Sequence, residues 1–446
     1  MRKRIHKQAP LMQVPISHER ARELTVMSAI LDRMTGVLGP IRRELSQGRS
    51  PQRGRCGMTA EQVLRCLIIK QLNGFSYEAL SFHLADSTCY RIFCRLGAFD
   101  RTPSRSTLQE NIKRLSPRTM ERVSAALLGQ ARVAGVEDGR QIRIDTTVTE
   151  SNIHEPADSS LLWDTTRKLT RLMKRSSAPR SMYSDHHRRA KRRYVAIQNA
   201  GKMEARRPLY LDLIAATTTA CEDALRVAAW LRRHAGNDRR QKTFSEKLEH
   251  FEALGRRVID QTQRRVFQEE SVPSPEKIVS IFEEHTDIIV KGRRDIEYGH
   301  KICLATGISG MITDCTIEAG NPADVTLAVG VIDRHSACFG KAPKQVALDG
   351  GFASKANLLA LKERGVQDVA FSKKCGMQIK EMVRSEAVYK ALRHFRAGIE
   401  GVISFLKRVV GLERCTWSGL PSFHAFVLSS VATANLLILA RHELRQ

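Results

Sequence analysis

The stretch Gln141–Asn152, QIRIDTTVTESN, is where the chain changes its period. Ile142 and Ile144 alternate with Arg143, Asp145 and Thr147, the two-residue repeat of a strand with one face toward a core. That spacing turns Asp145 to the face opposite the isoleucines. The sequence before this stretch is helical, and strands mix with helices after it. The order therefore reads as an α/β protein whose mixed sheet is flanked by helices, preceded by an all-α region.

Moving toward the N-terminus, residues 59–136 predict a compact helical domain. TAEQVLRCLIIKQLNG has Thr59 as an N-cap, an acid in the first turn and a glycine stop, and Ser76 caps YEALSFHLAD. CYRIFCRLGAF adds a third apolar piece, Thr102-Pro103-Ser104 introduces RSTLQENIKRL, and residues 118–134 make one more helix. Short helices on short turns suggest a helix-turn-helix arrangement, in which Arg105, Lys113 and Arg114 would meet DNA phosphates. The alternative is a helical bundle that only packs or dimerises. Residues 1–58 read as a basic N-terminal segment with one helix, around residues 21–38. Its opening, MRKRIHKQAPLMQVPI, lacks the apolar core of a signal peptide.

Moving toward the C-terminus, residues 161–285 read as a mostly helical insertion that splits a catalytic domain into 137–160 and 286–446. Fourteen Lys and Arg face two acids, Asp185 and Glu204, between Arg167 and Arg207. Within this run Arg188, Arg189, Lys191, Arg192 and Arg193 are candidates for DNA-backbone contact; a solvated helix face or a flexible arm would carry the same composition. His186 and His187 diverge on a helix and have no partner at i+4, so they are not a metal pair. Strand patterns return in DIIVKG (287–292), HKICLATG (300–307) and MITDCTIEAGN (311–321), with residues 307–310 able to turn the last two into a hairpin. The helix PADVTLAVGVIDRHSAC leads to KQVALDGGF (344–352), where Asp349 closes a strand and Gly350-Gly351 frees the chain to turn. Another helix, SKANLLALKERG, and a short strand, DVAFS, follow. The apolar run 426–440, interrupted by Ser429, Ser430, Thr433 and Asn435, is too short and polar for a membrane span and reads as a buried helix.

Residues 391–410, ALRHFRAGIEGVISFLKRVV, carry the third acid. At about 100° per residue, Glu400 and Lys407 fall about 40° and 20° from Arg396 on a helical wheel. Ile399, Val402, Ile403, Leu406, Val409 and Val410 form an apolar face beside that stripe. An amphipathic helix with a surface ion pair would look similar. Asp145, Asp349 and Glu400 thus lie on three elements, each turned from the core, although any one alone reads as structural. Together they suit phosphodiester chemistry, in which two divalent ions about 3.5–4 Å apart need hard oxygen ligands. Three converging acids would repel one another without metal, so the metal-free fold should suffer.

Composition points the same way. The 446 residues hold 73 Lys and Arg against 47 Asp and Glu, a net charge of +26, and such a field attracts nucleic acid. Forty-two per cent hydrophobic content excludes general disorder. The ten cysteines include no C-x-x-C pair, which gives no zinc ribbon or redox motif and fits reduced thiols in the cytoplasm.

With IDTTVTESN, LDGGFASKANL and R-x3-E-x6-K in this order, joined by GNPAD (320–324) and YGHK (298–301), the chain resembles a bacterial insertion-sequence transposase of the DDE type. The branch it resembles is ISNCY-like, within the group that carries a Y-R-E-K signature. GFSYEALSFHL and RTPSRSTLQENIKRL resemble the N-terminal domain of such proteins, and the resemblance spans most of residues 59–440. It implies an RNase H-like catalytic domain with Asp145, Asp349 and Glu400 as the metal-binding triad, served by two Mg²⁺ ions or by Mn²⁺. It further implies Arg396 and Lys407 as phosphate contacts near the transposon end, with Arg393 standing where the signature has tyrosine. Only 51 residues separate Asp349 from Glu400, so the helical insertion belongs after Asp145. The implied activity is cleavage at terminal inverted repeats and transfer of 3′-hydroxyl strands to target DNA. A homodimer or larger assembly in the cytoplasm, on the nucleoid and away from membranes, would carry it out. The alternatives are an RNase H-fold nuclease without strand transfer, or a decayed transposase that only binds DNA.

Overall fold

The computed structural model describes residues 18–47, 57–97, 100–234, 236, 238–291 and 295–445. The basic opening of the chain and Gly292 lie outside them. By internal contacts the chain divides into one unit of residues 1–149, 301–417 and 421–446, and a second of residues 150–300 and 418–420.

The first unit begins with helices α1 (Glu19–Asp32), α2 (Leu38–Ser46), α3 (Ala60–Asn73), α4 (Tyr77–Asp86), α5 (Thr88–Phe93), α6 (Arg105–Ile112) and α7 (Pro117–Val133). The caps read from the sequence are in place. Thr59 and Gln62 form a capping box on α3, Gly74 ends it at φ +62°, and Ser76 and Ser104 cap α4 and α6; Ser116, not picked out in the sequence, caps α7. Among the described residues before 58 the structure differs from expectation: it holds two α-helices rather than one. Pro40 sits in the first turn of α2, where its missing N–H has no helical partner to lose. Met27, Ile30 and Ile41 pack into the same core as Leu67, Leu80 and Leu108. Arg65, 1 % exposed, ties α3 to α1 through Asp32 at 2.7 Å.

Strand β1 (Gln141–Glu150) then leads into the second unit. Helices α8 (Asp158–Arg175), α9 (His187–Asn199), α10 (Met203–His234) and α11 (Arg239–Val266) pack around Leu162, Leu169, Leu213, Val227, Leu248 and Val258. Strand β2 (Asp287–Lys291) pairs antiparallel with residues 295–299 of β3 (Asp295–Gly307). From Lys301 onward β3 belongs to the first unit, where the order is β4 (Ile312–Ile317), β3, β1, β5 (Gln345–Leu348), β6 (Asp368–Phe371). β4 is antiparallel to β3, and β1, β5 and β6 run parallel. The 307–310 turn joins β3 to β4 as expected.

Helices α12 (Ala328–Phe339), α13 (Lys355–Glu363), α14 (Ile379–Met382), α15 (Glu386–Arg408) and α16 (Leu420–Glu443) complete the chain. α15 packs on β5 and β6 and buries Tyr389, Leu392, Ile399 and Leu406, while Val409, expected on its apolar face, is 38 % exposed. α16 corrects the expectation of a segment too short to span. Its 24 residues are long and apolar enough by composition alone, yet 89 % of the apolar window is buried within the fold. Three of the four polar interruptions are bonded there: Gln71 donates to Ser429 and Ser430, and Asn435 exchanges both amide bonds with the backbone of Ile312 on β4, while the buried Thr433 hydroxyl has no partner.

Candidate active site

The three candidate acids come together in the first unit around a single cation. Nη2 of Arg396 lies 3.0 Å from Oδ2 of Asp145 and 3.2 Å from Oδ1 of Asp349, and its Nη1 lies 3.2 Å from Oε1 of Glu400. β1 supplies Asp145, the turn after β5 supplies Asp349, and α15 supplies the other two. The parallel pairing of β1 with β5, Ile144 opposite Leu348, sets the two aspartates at matching strand positions. Arg396 is therefore engaged by acids here and not open toward a phosphate. The repulsion expected of a metal-free triad is partly offset by this guanidinium.

The acids differ in setting. The Asp145 side chain is 14 % exposed, against 40 % for Asp349 and 68 % for Glu400. Burial pushes the Asp145 pKa up. The Thr146 N–H and Arg396 oppose that, the charge of Asp349 adds to it, and the net direction is upward. Burial also raises Asp349, but the Gly350 N–H, the Ser372 hydroxyl, Arg396 and Lys373 together outweigh it and hold its pKa below the ordinary value.

Arg143, two residues before Asp145 on the same strand face, locks the site together. It is 8 % exposed, donates to Thr306 Oγ1 at 2.9 Å and to the Phe395 carbonyl at 2.8 Å, and lies 4.7 Å from the Phe395 ring. Helix α15 makes room for it with glycine: a Cβ at residue 398 would come within 2.1 Å of Arg143 Nη1. A second support comes from the GNPAD and YGHK motifs. Asp324 accepts from the Thr146 hydroxyl at 3.2 Å and from Lys301 Nζ at 3.1 Å, and a Cβ at Gly351 would press on its carboxylate. Neither Arg143 nor Asp324 stands out by local pattern. The signals were the shared face of residues 143 and 145 and the last residue of each motif.

The other candidates are dispersed. Lys407 is half-buried and Arg393 is exposed, 5.9 Å from the Tyr389 ring centroid. Arg105 is exposed with Glu78 at 4.0 Å, and Lys113 is exposed. Arg114 is committed elsewhere, donating to the Leu45 carbonyl at 2.9 Å at the end of α2. In the second unit Arg188, Lys191 and Arg192 are exposed on α9, whereas Arg189 and Arg193 both bond Asp212 and draw its pKa to about 2.

The carboxylate oxygens are donors that suit a hard cation, and in this structure they are engaged by a guanidinium. Among the described residues no three His, Cys, Asp or Glu side chains group closely enough to hold a metal ion, because Arg396 stands between them.

Comparison with known families decides the identity. The description "Transposase domain (DUF772)" matches residues 15–114, and "Transposase DDE domain" matches residues 257–436. The chain belongs to the DDE transposases of insertion sequences. No curated protein and no solved structure matches it. The transposase's mixed sheet, flanking helices and helical N-terminal region are those of an RNase H-like DDE enzyme. Asp349 and Glu400 fall within the matched DDE domain, and Asp145 precedes it. Membership places the transposase among nucleic-acid-cutting enzymes that generally use divalent metal.

Proposed function

We propose that this transposase binds the terminal inverted repeats of an insertion sequence, cuts phosphodiester bonds there and joins the freed 3′-hydroxyls to target duplex DNA. Asp145, Asp349 and Glu400 form the catalytic triad. The supporting observation is that one guanidinium touches all three carboxylates, which come from separate parts of the chain.

These acids would hold two Mg²⁺ ions, with Mn²⁺ as a substitute; when bound, such ions activate an attacking water or 3′-hydroxyl and stabilise the leaving oxygen. Thr146 and Ser372 orient Asp145 and Asp349 through the hydrogen bonds described above. Arg143 fixes α15 against β1, so that Glu400 is presented to the aspartates. Arg396 keeps the acids together in the metal-free protein, and with Lys407 on the same stripe it then faces the phosphates of the transposon end. Arg393 stands where the family signature has tyrosine and offers a cation to the same DNA. Pairing two ends calls for at least two copies of the chain, acting on the bacterial nucleoid in the cytoplasm.

Asp145→Asn, Asp349→Asn and Glu400→Gln should each abolish metal-dependent cleavage of end DNA while end binding survives. Near-normal cleavage by one variant would remove that residue from the triad. Adding a target plasmid separates transposition from simple nuclease action. Joined products support strand transfer, and nicked ends without joining support a nuclease.

A further inference from the structure

The second unit carries a cation cluster that the α9 arginines do not include. On α8, Arg167, Lys168, Arg171, Lys174 and Arg175 recur at helical spacing along one stripe, and α11, which packs on α8, adds Lys247. Two members are neutralised locally: Arg167 bonds Asp164 at 2.6 Å and Lys174 bonds Asp185 at 2.5 Å. Among the described residues, Lys168, Arg171, Arg175 and Lys247 have no carboxylate in ion-pair range. Glu284, two residues after Phe282, pairs with His250 at 3.5 Å.

The cluster is held in place. Lys168 Nζ sits 4.5 Å from the Phe251 ring centroid and 5.6 Å from that of Phe282, and Arg167 lies 4.7 Å from the Trp163 ring. Phe282 is 43 % exposed in the middle of it. Half-burial lowers the Lys168 pKa, and the charges of Lys247, Arg171, Arg175 and Arg167 lower it further, so these cations repel one another. Like charges at i,i+4 each cost a few tenths of a kcal/mol in an isolated helix. A stripe kept at that cost, with ordered cations and an apolar centre, fits a polyanion with regularly spaced charges.

We propose that the α8–α11 face, through Lys168, Arg171, Arg175 and Lys247, is a surface for the backbone of duplex DNA. From Arg167 to Arg175 the helix rises about 12 Å, the axial length of three to four base pairs at about 3.4 Å each. Exposed Phe282 lies where sugar edges would pass. These residues are additional to the α9 set, two of whose five cations are taken by Asp212. The assignment rests on the reading of the chain as a DNA-cutting transposase.

The test is the salt dependence of binding to mixed-sequence duplex DNA by the full-length protein, with fluorescence anisotropy as readout. Each lost phosphate contact should flatten the slope of log K against log salt by about 0.9. The variant Lys168→Gln/Arg171→Gln/Arg175→Gln/Lys247→Gln should flatten it by at least two such increments. A single Lys247→Glu reversal, on an exposed side chain, should weaken binding at low salt and leave the fold unchanged by circular dichroism. Unchanged slope and affinity in both folded variants overturns the surface, even where the parent binds and cuts DNA. Failure of the parent to bind DNA at all overturns the functional reading itself.

Discussion

The two units treat charge in opposite ways. At the candidate active site three acids close on one arginine, so a cluster that should repel itself is compensated from within. On α8 and α11 four cations crowd together with no such partner among the described residues, and half-burial, with the crowding added to it, lowers the pKa of Lys168. The first arrangement has a cation of its own, which a metal proposed to bind there would have to displace, although acids still outnumber cations in it. The second has no counter-charge of its own among the described residues, which is what the proposed DNA surface rests on.

Removing the compensating cation should break that contrast most severely. Arg396→Ala leaves three gathered carboxylates without their shared cation, and a loss of about 3 kcal/mol is expected for a largely buried pair broken on one side. The exposure of Glu400 tempers this, because solvent screens its share. Melting curves without metal should show the drop. Added Mg²⁺ should raise the melting temperature of this variant more than that of the parent, since a ligand bound only by the native state stabilises it. Equal Mg²⁺ responses in the two proteins would mean that the acids do not form a cation site once the guanidinium is gone.

Next in size is the packing of α15 on Arg143. Gly398→Ala would place a methyl group on the Arg143 guanidinium, and forcing volume into a packed contact costs about 1–3 kcal/mol. If that contact positions Glu400, the variant should lose cleavage as well as stability, and trimming Arg143 in the same protein should return part of the stability. A Gly398→Ala protein as stable and active as the parent would show Arg143 to be free to move aside.

Much of this was legible in the chain. The period change at Gln141 gave β1 but not the burial of both its faces, since Arg143 and Thr147 beside Asp145 are buried too; the caps at Thr59 and Ser76 and the Thr102–Ser104 lead-in gave the helices they begin, and the turn at 307–310 gave a hairpin. These signals are local, and local rules decide them. What the sequence hid depends on partners far along the chain. Arg143 meets Phe395, 252 residues later, and Arg396 meets Asp145, 251 residues earlier. On a helical wheel Arg396 looks like an outward cation; only the parallel register of β1 and β5 puts two aspartates under it. Arg114, Arg189 and Arg193 likewise looked free until α2 and α10 supplied their acceptors.

The smallest expected effect distinguishes the two aspartates. Asp145 has a folded-state pKa above its ordinary 3.8, so the fold prefers it protonated. Its contribution is fully present below the unfolded value and is lost as pH rises through the folded one. Asp349 has a depressed pKa, and its contribution is present above 3.8 and lost as pH falls through the lower folded value. At neutral pH without metal, Asp145→Asn should therefore melt at or above the parent temperature and Asp349→Asn below it. Near pH 3, close to or below the ordinary aspartate value of about 3.9, the two differences should shrink. Because Asp349 is partly exposed, its deficit should also fade with added salt, while the response of the more buried Asp145 should change less. Two variants that melt alike at every pH would mean that the acids share one environment, and the difference in setting drawn from their burial would fall.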